Sequence, residues 1–245
     1  MNYTLVIAYD GTGFLGWQTS KDGPTIELML KDSIEKILQH KIKLQAASRT
    51  DKGVHAQGQV VNFMSPKQLN KQKLLISLNQ ILPPSIRVLE VFLSSLSFHP
   101  TINAISKHYL YCLYLSPVHC PFARTTSWHI YKPLEVNLIK KGIPFFLGTK
   151  NFSAFSNNCK HPSDNKICTL LDIKLTRPSD NVVHFEVIGN RFLYKMVRNI
   201  IGTLVYIGLE KIALKDLPTL IQNNDRTLLG ATAPARGLTL LKVNY

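Results

Sequence analysis

The amino-acid sequence predicts an α+β protein built from two α/β halves of similar size, each with a mainly antiparallel sheet. The length of 245 residues suits one large domain or two smaller ones, and 45% hydrophobic residues are enough for a sizeable core. Strand-like and helical segments alternate in both halves, and hairpin-like pairs recur, which favours antiparallel strands. A join near residues 100–105 gives an N-terminal half, 1–103, and a C-terminal half, 104–245.

The first half begins with a strand and a helix. Residues 3–10 are apolar and end at the turn signal Asp10-Gly11. In residues 25–40 the apolar side chains keep helical spacing, and the charged ones fall on the opposite face. The remaining expected elements are a strand at 41–48, a strand at 58–64, a helix at 66–82 with Pro66 near its start, and a strand at 85–94.

The second half has the same rhythm. Residues 107–116 alternate aromatic and other side chains as a strand does, and residues 134–148 are expected to be helical until Pro144. The later elements are a hairpin of 167–177 with 181–190, a long helix at 191–209, and a closing strand at 236–245.

The charge of the chain indicates an anionic partner. Lys and Arg number 29 against 15 Asp and Glu, a formal net charge of +14. Such an excess governs partners and encounter rates, not the fold. Nucleic acid is the commonest polyanion that binds such a protein, and the alternative is a merely basic soluble protein.

Several classes of protein are disfavoured. The start of the chain has no basic region followed by a long apolar one, so we expect no signal peptide and a cytoplasmic location. The apolar run 199–209 is shorter than the ~20 residues of a membrane helix. No Walker loop or GxGxxG is present, so no nucleotide cofactor is expected. The cysteines form no CxxC pair, which favours reduced thiols over a zinc site or disulfides: Cys112, Cys120, Cys159 and Cys168. His55 and His108 lack metal-ligand spacing, so we expect no metal.

The stretch SRTDKGVHAQGQV, residues 48–60, places an aspartate among basic residues. If it ends a strand, Arg49 and Asp51 share one face, and the arginine would hold the aspartate ionised. Asp51-Lys52-Gly53 is also good turn chemistry, because glycine adopts positive φ. Taken alone, these residues favour a turn with a local ion pair over a reacting carboxylate.

Two further groups have both structural and functional explanations. Arg191, Lys195 and Arg198 fall at i, i+4 and i+7 of the predicted long helix, either as a solvated basic face or as a groove wall that faces phosphates. Tyr109 and Tyr111 share one face of their strand, where aromatic rings either stack on bases or, more commonly, pack in a core.

Seven motifs in order over nearly the whole chain resemble the tRNA pseudouridine synthase A family. Residues 48–60 are similar to its signature G-R-T-D-x-G-V-H-A, with Ser48 where glycine is usual. The other six motifs are YDGTGFLGWQ (9–18), LNQILPPSIRV (78–88), KHYLY (107–111), GTKNFSAF (148–155), GNRFLYKMVRNIIGTL (189–204) and TAPARGLTLLKV (232–243). Any one of these motifs is weak evidence, but seven in family order are highly specific.

The resemblance implies roles for particular residues. Asp51 corresponds to the catalytic nucleophile, and Arg198 to the arginine that pairs with it. Tyr109 corresponds to the tyrosine that packs on the target uracil and is a candidate base. Arg49 corresponds to an arginine that engages the RNA, and we assign substrate binding to Arg191 and Lys195 as well.

The resemblance also implies a reaction and an architecture. The expected activity is isomerisation of uridine to pseudouridine at positions 38, 39 and 40, in the anticodon stem-loop of tRNA. Two ferredoxin-like, or RRM-like, halves would form a basic cleft, in a homodimer without metal or organic cofactor.

The chemistry agrees with these residue types. The reaction breaks a glycosidic bond and rejoins the base through carbon, with no net redox change, so no cofactor is required. An ionised carboxylate attacks covalently or assists departure of the base. Two alternatives stay open on the sequence: a non-catalytic RNA-binding protein on the same scaffold, and a DNA- or ribosome-associated factor that uses only the charge.

Overall fold

The computed structural model describes residues 1–157, 165–223 and 225–245, and it confirms an α+β protein with mainly antiparallel strands. The chain divides into two compact units. The first unit is Met1–Ile105 together with Thr239–Tyr245, and the second is Ser106–Leu238. The C-terminal segment groups with the first unit because its strand pairs there, although the boundary at 103/104 placed it in the second half. The division of functional roles between the halves stays a prediction.

The first unit contains five strands and two helices among its described elements. In chain order they are β1 (Asn2–Tyr9), α1 (Ile26–Leu38), β2 (Gln45–Ala46), β3 (His55–Met64), α2 (Lys71–Ile81) and β4 (Ile86–Ser94). The second unit follows with β5 (Ser106–Leu115), β6 (Trp128–Ile130), α3 (Val136–Gly142), β7 (Gly148–Asn151), β8 (Ile167–Ser179), β9 (Val182–Gly189), α4 (Met196–Gly208) and α5 (Leu217–Gln222). The fifth strand of the first unit, β10 (Leu238–Asn244), then ends the chain.

The sheet of the first unit has the order β4-β1-β3-β10. β1 is antiparallel to both β3 and β4, whereas β10 is parallel to β3, with Thr239 opposite His55. Tyr3, Leu5 and Ile7 alternate along β1 and are completely buried, as expected of a strand with one face in the core. This pairing places the start of β3, which follows Asp51 closely in sequence, in the middle of the sheet.

The sheet of the second unit has the order β5-β9-β8-β7, with β6 parallel to β5. β8 and β9 form the expected hairpin. Tyr111 on β5 and Phe185 on β9 are opposite each other and fully buried, so their rings belong to the core. For Tyr111 the core alternative is therefore the correct one.

Two predicted helices begin later than expected. The helix predicted at 66–82 begins at Lys71, because Asn70 caps it and accepts a hydrogen bond from the Lys73 backbone N–H at 3.0 Å. The helix predicted at 191–209 begins at Met196, because Lys195 has a left-handed backbone with φ of 60°. By contrast α1 agrees with its prediction, and the Thr25 hydroxyl caps it.

Three other sequence predictions concern thiols, membranes and metals. Cys112, Cys120 and Cys168 are free thiols, and Cys159 lies outside the described residues. In the described part of the chain, no helix is long and apolar enough to cross a bilayer. Within the same residues, no three His, Cys, Asp or Glu side chains come together as metal ligands would.

Candidate active site

Asp51 lies at the first position of a tight turn between β2 and β3. The Val54 backbone N–H donates to the Asp51 carbonyl at 3.1 Å, and Gly53 has φ of 78°. These are the hydrogen bond and the positive φ at the third position that define a type II turn. The Asp51 side chain is half-buried, between the buried Thr50 and the exposed Lys52. The turn therefore holds the carboxylate at the boundary between protein and solvent.

A second segment, residues 9–18, holds this turn from one side. The Trp17 backbone N–H donates to the Thr50 carbonyl at 3.0 Å. The Tyr9 hydroxyl lies 2.8 Å from the Thr50 hydroxyl, and both groups are buried. Thr50 is thus fixed through its backbone and its side chain, one residue before Asp51. A buried hydrogen-bonded group of this kind resists displacement, because breaking it leaves polar atoms unpaired.

Gln59 on β3 holds the turn from the other side. Its amide oxygen accepts from the Ser48 N–H at 3.1 Å, and its amide nitrogen donates to the Ser48 carbonyl at 2.6 Å. Gln59 is fully buried, so this pair of hydrogen bonds is shielded from water. Because both bonds go to backbone atoms of Ser48, serine in place of the usual glycine leaves them unchanged.

Gly16 packs directly against the backbone on either side of Asp51. It has φ of 98°, and a Cβ atom there would lie 2.8 Å from the Thr50 carbonyl oxygen and 3.0 Å from the Lys52 nitrogen. Only a residue without a side chain lets the two backbones come this close. The motif at 9–18 is therefore the structural support of the aspartate turn.

His55 connects the turn to Asp10 at the end of β1. Its Nδ1 atom lies 3.0 Å from the Asp10 carboxylate and 3.1 Å from the Gly11 N–H. A protonated Nδ1 donates to the carboxylate, whereas an unprotonated one accepts from Gly11, so His55 is bonded in either state. Burial alone would raise the pKa of Asp10, but hydrogen bonds from Thr12 and the interaction with His55 outweigh it and lower that pKa.

Arg49 does not form the local ion pair that the turn explanation included. It is exposed, and in the described part of the chain no carboxylate pairs with it. Asp51 and Arg49 belong to the first unit, whereas Tyr109, Arg191, Lys195 and Arg198 belong to the second. Contact between the two groups stays a prediction.

Tyr109 on β5 is 6% exposed, and its ring meets the edge of Phe192 at a centroid distance of 5.1 Å. This edge-to-face geometry is a favoured one for aromatic pairs and fixes the plane of the tyrosine ring. Tyr109 is thus packed as a core residue near the start of β5, and its contact with a target base stays a prediction.

Arg198 lies in the first turn of α4. Its Nε atom donates to the Ala233 carbonyl at 2.7 Å, and the Ala233 N–H donates back to the Arg198 carbonyl at 3.1 Å. The segment after α5 therefore sets the plane of the guanidinium group. The motif TAPARG, residues 232–237, supports Arg198 in the second unit.

Arg191, Lys195 and Arg198 do not lie on one helical face, so this sequence prediction is wrong. Arg191 precedes the helix and donates to the Asn165 carbonyl at 2.7 Å. Lys195 stands at the N-cap position with its ammonium 5.0 Å from the centre of the Tyr194 ring. The left-handed residue 195 breaks the helical periodicity on which the prediction rested. Substrate binding by Arg191 and Lys195 stays a prediction.

Sequence reasoning did not assign a role to Lys107, which precedes Tyr109 by two positions and shares its face of β5. Lys107 is 9% exposed, and burial, with a smaller contribution from the charge of Arg191, lowers its pKa from 10.5 to about 8. A lysine in an aromatic-rich strand is the signal that could have identified it.

We expect Lys107→Met to change how stability depends on pH. In the unfolded chain this amine has a pKa near 10.5, so between pH 8 and 10.5 the unfolded state binds more protons. Wild-type stability should therefore rise with pH in this window, and below pH 8 the full cost of burying the ammonium, at most about 3 kcal/mol, is present.

Denaturant unfolding at several pH values measures this effect. Lys107→Met should be more stable than wild type at pH 7, and the difference should shrink towards pH 10.5. Lys174→Met, at an exposed position of β8, is the control and should follow wild type throughout. A stability difference between Lys107→Met and wild type that stays constant across this pH range would contradict the proposed cost of burying the Lys107 ammonium.

Comparisons with known proteins show which family the chain resembles. A family model described as tRNA pseudouridine synthase matches residues 5–100 and 144–245, which include Asp51 and Arg198 but not Tyr109. The tRNA pseudouridine synthase A 2 of Protochlamydia amoebophila is 44% identical over 100% of this chain and 94% of its own. The tRNA pseudouridine synthase A of Geotalea daltonii is 39% identical, over 100% and 99% of the two chains.

Similarity to solved structures is much lower. A chain of the Cbf5-Nop10-Gar1 complex matches with 12% identity and a TM-score of 0.37, over 97% of this chain and 57% of the other.

The matched ranges together with the α+β fold define a tRNA-modifying isomerase. The chain belongs to the tRNA pseudouridine synthase family, and it is an isomerase that acts on uridine in tRNA. The resemblance seen in the seven sequence motifs is therefore confirmed.

Proposed function

We propose that this chain forms pseudouridine at positions 38, 39 and 40 of the anticodon stem-loop of tRNA, with Asp51 as the nucleophile. The observation that carries the proposal is the turn that presents Asp51. It is half-buried, and hydrogen bonds to Trp17, Tyr9 and Gln59 hold the residues that precede it. A nucleophile held in one position before the substrate arrives needs no reorganisation during the reaction.

The reaction conserves every atom of the nucleotide. The bond between N1 of uracil and C1′ of ribose breaks, and a bond between C5 and C1′ forms. The proton on C5 leaves, and N1 gains one, so no oxidant or reductant takes part. Asp51 would supply an anionic oxygen that bonds transiently to the substrate while the base turns. The target base must first leave its stack, which costs a few kcal/mol.

Arg198 and Tyr109 would complete the site from the second unit. A guanidinium group beside Asp51 favours the ionised carboxylate, which is the nucleophilic form. Ala233 fixes the plane of that guanidinium, and Phe192 fixes the ring of Tyr109. Tyr109 would pack on the target uracil and is the candidate for removal of the C5 proton. Both side chains are held rigidly, as a preorganised catalytic site requires.

The remaining basic residues would hold the RNA backbone. Arg49 is exposed next to the turn, and Arg191 and Lys195 lie just before α4. With a net charge of +14, the chain should bind tRNA in a strongly salt-dependent manner, because phosphate contacts release counterions. We further propose that the two halves line a basic cleft, that the protein acts as a homodimer, and that it is cytoplasmic.

Tritium release from tRNA labelled with [5-³H]uridine tests the proposed function. Wild-type protein should release tritium from an unmodified tRNA with uridine at positions 38 to 40. The matched control is the same tRNA with cytidine at those three positions, which should release none. Release that persists with the control tRNA would overturn the assignment of the positions, and binding without release from any tRNA would overturn the activity.

A further inference from the structure

A buried network of polar side chains lies next to Arg198, and the proposed reaction assigns no role to it. Arg226, on a short 3₁₀ turn after α5, donates through Nη2 to the Asn199 side-chain oxygen at 3.0 Å and to the Thr232 hydroxyl at 2.9 Å. The Thr232 hydroxyl in turn donates to the same Asn199 oxygen at 2.7 Å. Side chains from α4 and from the segment 226–232 thus converge on one point.

Asn199 anchors this network in the core. It is completely buried, and its amide nitrogen donates to the Phe155 carbonyl at 2.6 Å and to the Asn157 side-chain oxygen at 2.8 Å. Asn199 also follows Arg198 directly on α4. The network is therefore attached rigidly to the helical turn that carries the catalytic arginine.

The buried environment of this network is unfavourable for the charged side chain of Arg226. It is half-buried, burial lowers the pKa of its guanidinium group, and it pairs with no carboxylate in the described part of the chain. Its buried Nε atom also has no hydrogen-bond partner among the described residues. Burying a cation against neutral oxygens costs stability, and an apolar side chain would often be more favourable. Stability alone therefore gives a poor account of this arginine.

The segment held by Arg226 is also the one that orients Arg198. A Cβ atom on Gly202 of α4 would lie 1.8 Å from the Ala231 carbonyl oxygen, so residues 230–233 rest directly on the helix backbone. Thr232 is followed by Ala233, whose carbonyl accepts the Arg198 Nε bond. Pro234 then accepts the Tyr111 hydroxyl at 2.8 Å. A shift of Thr232 would therefore move the Ala233 carbonyl, which accepts the hydrogen bond that orients Arg198.

We infer that Arg226 and Thr232 are positioning residues that lock the segment 231–234 and thereby aim Arg198. This inference rests on the role proposed above for Arg198. The pair touches neither the substrate nor Asp51 in this account, and it acts only through the Ala233 carbonyl. The guanidinium of Arg226 donates to the Thr232 hydroxyl, which in turn donates to Asn199, so the network clamps Thr232 in place.

Two substitutions at one position test the clamp. Thr232→Val keeps the shape of the side chain but removes the hydroxyl, and it should lower kcat about tenfold while KM for tRNA changes less than about twofold. Thr232→Ser keeps the hydroxyl and should retain wild-type kcat. Arg226→Gln should resemble Thr232→Val. Arg177→Gln, whose arginine donates to the Asp180 carbonyl in an exposed turn, is the control and should behave as wild type.

A double-mutant cycle separates positioning from general support. In an Arg198→Ala background, Thr232→Val should cause no further loss of kcat, because the guanidinium group that Thr232 helps to orient is absent. Additive losses in the two backgrounds, or equal losses for the serine and valine variants, would overturn this inference alone. An Arg198→Ala enzyme with wild-type kcat would instead overturn the proposed role of Arg198. If Arg226→Gln does not fold, the two Thr232 variants still decide the question.

Discussion

Asp51→Asn is expected to lower the rate of pseudouridine formation by about 10³-fold or more, with folding and tRNA affinity retained. The amide has no anionic oxygen, so it neither attacks the substrate nor pairs with a guanidinium as a carboxylate does. The fold should persist, because the turn uses the backbone carbonyl of residue 51 and asparagine suits turns as well as aspartate.

Single-turnover tritium release and filter binding of tRNA measure the two effects of Asp51→Asn separately. Asp172→Asn, which makes the same chemical change at an exposed position on β8, is the matched control. It should keep the wild-type rate. An Asp51→Asn enzyme within tenfold of wild type would show that the carboxylate is not the nucleophile.

Gly16→Ala should lower kcat about 100-fold, although Gly16 lies more than thirty positions before the aspartate in sequence. A Cβ atom at this position would meet the backbone on both sides of Asp51, at Thr50 and at Lys52. Either the turn moves away, which misplaces the carboxylate, or the protein accepts the strain and becomes less stable by about 1–3 kcal/mol. Kinetics and thermal unfolding of the variant, measured together, distinguish these responses.

Gly13→Ala provides a close control for this prediction. Gly13 also has a left-handed backbone, with φ of 83°, but a Cβ atom there meets no atom within 4 Å. Its substitution adds backbone strain without a collision and should leave kcat near wild type. Equal loss of kcat in the two variants would mean that the contact of Gly16 with the turn is irrelevant.

Much of the fold could be predicted from hydrophobic periodicity. β1, α1, β4 and the hairpin of β8 and β9 follow from alternating or helical apolar spacing, because burial of one face imposes that spacing. β6 and β7, with three and four residues, are too short to carry a periodic signal. The start of α4 depends on one residue, Lys195, which has a left-handed backbone. The conformational propensity of lysine does not predict this backbone conformation.

The candidate site was less accessible to sequence reasoning than the fold. The need for Gly53 in a turn could be recognised from the motif itself, whereas the role of Asp51 was predicted only from the resemblance of all seven motifs. The role of Gly16 could not, because it depends on a contact with a segment that is distant along the chain. The role of Gln59 depends on two hydrogen bonds to Ser48 that no sequence pattern specifies. The predicted alignment of three basic residues on one helical face failed for a different reason, because it assumed a continuous helix through residue 195.

Mapping of pseudouridine in tRNA from cells that lack this protein tests the central claim most directly. We expect positions 38 to 40 to carry uridine in those cells, and the wild-type gene, supplied again, to restore pseudouridine at all three. The gene with Asp51→Asn should restore none. Restoration by Asp51→Asn, or unchanged modification at these positions in the deficient cells, would contradict the proposed catalytic function of this chain.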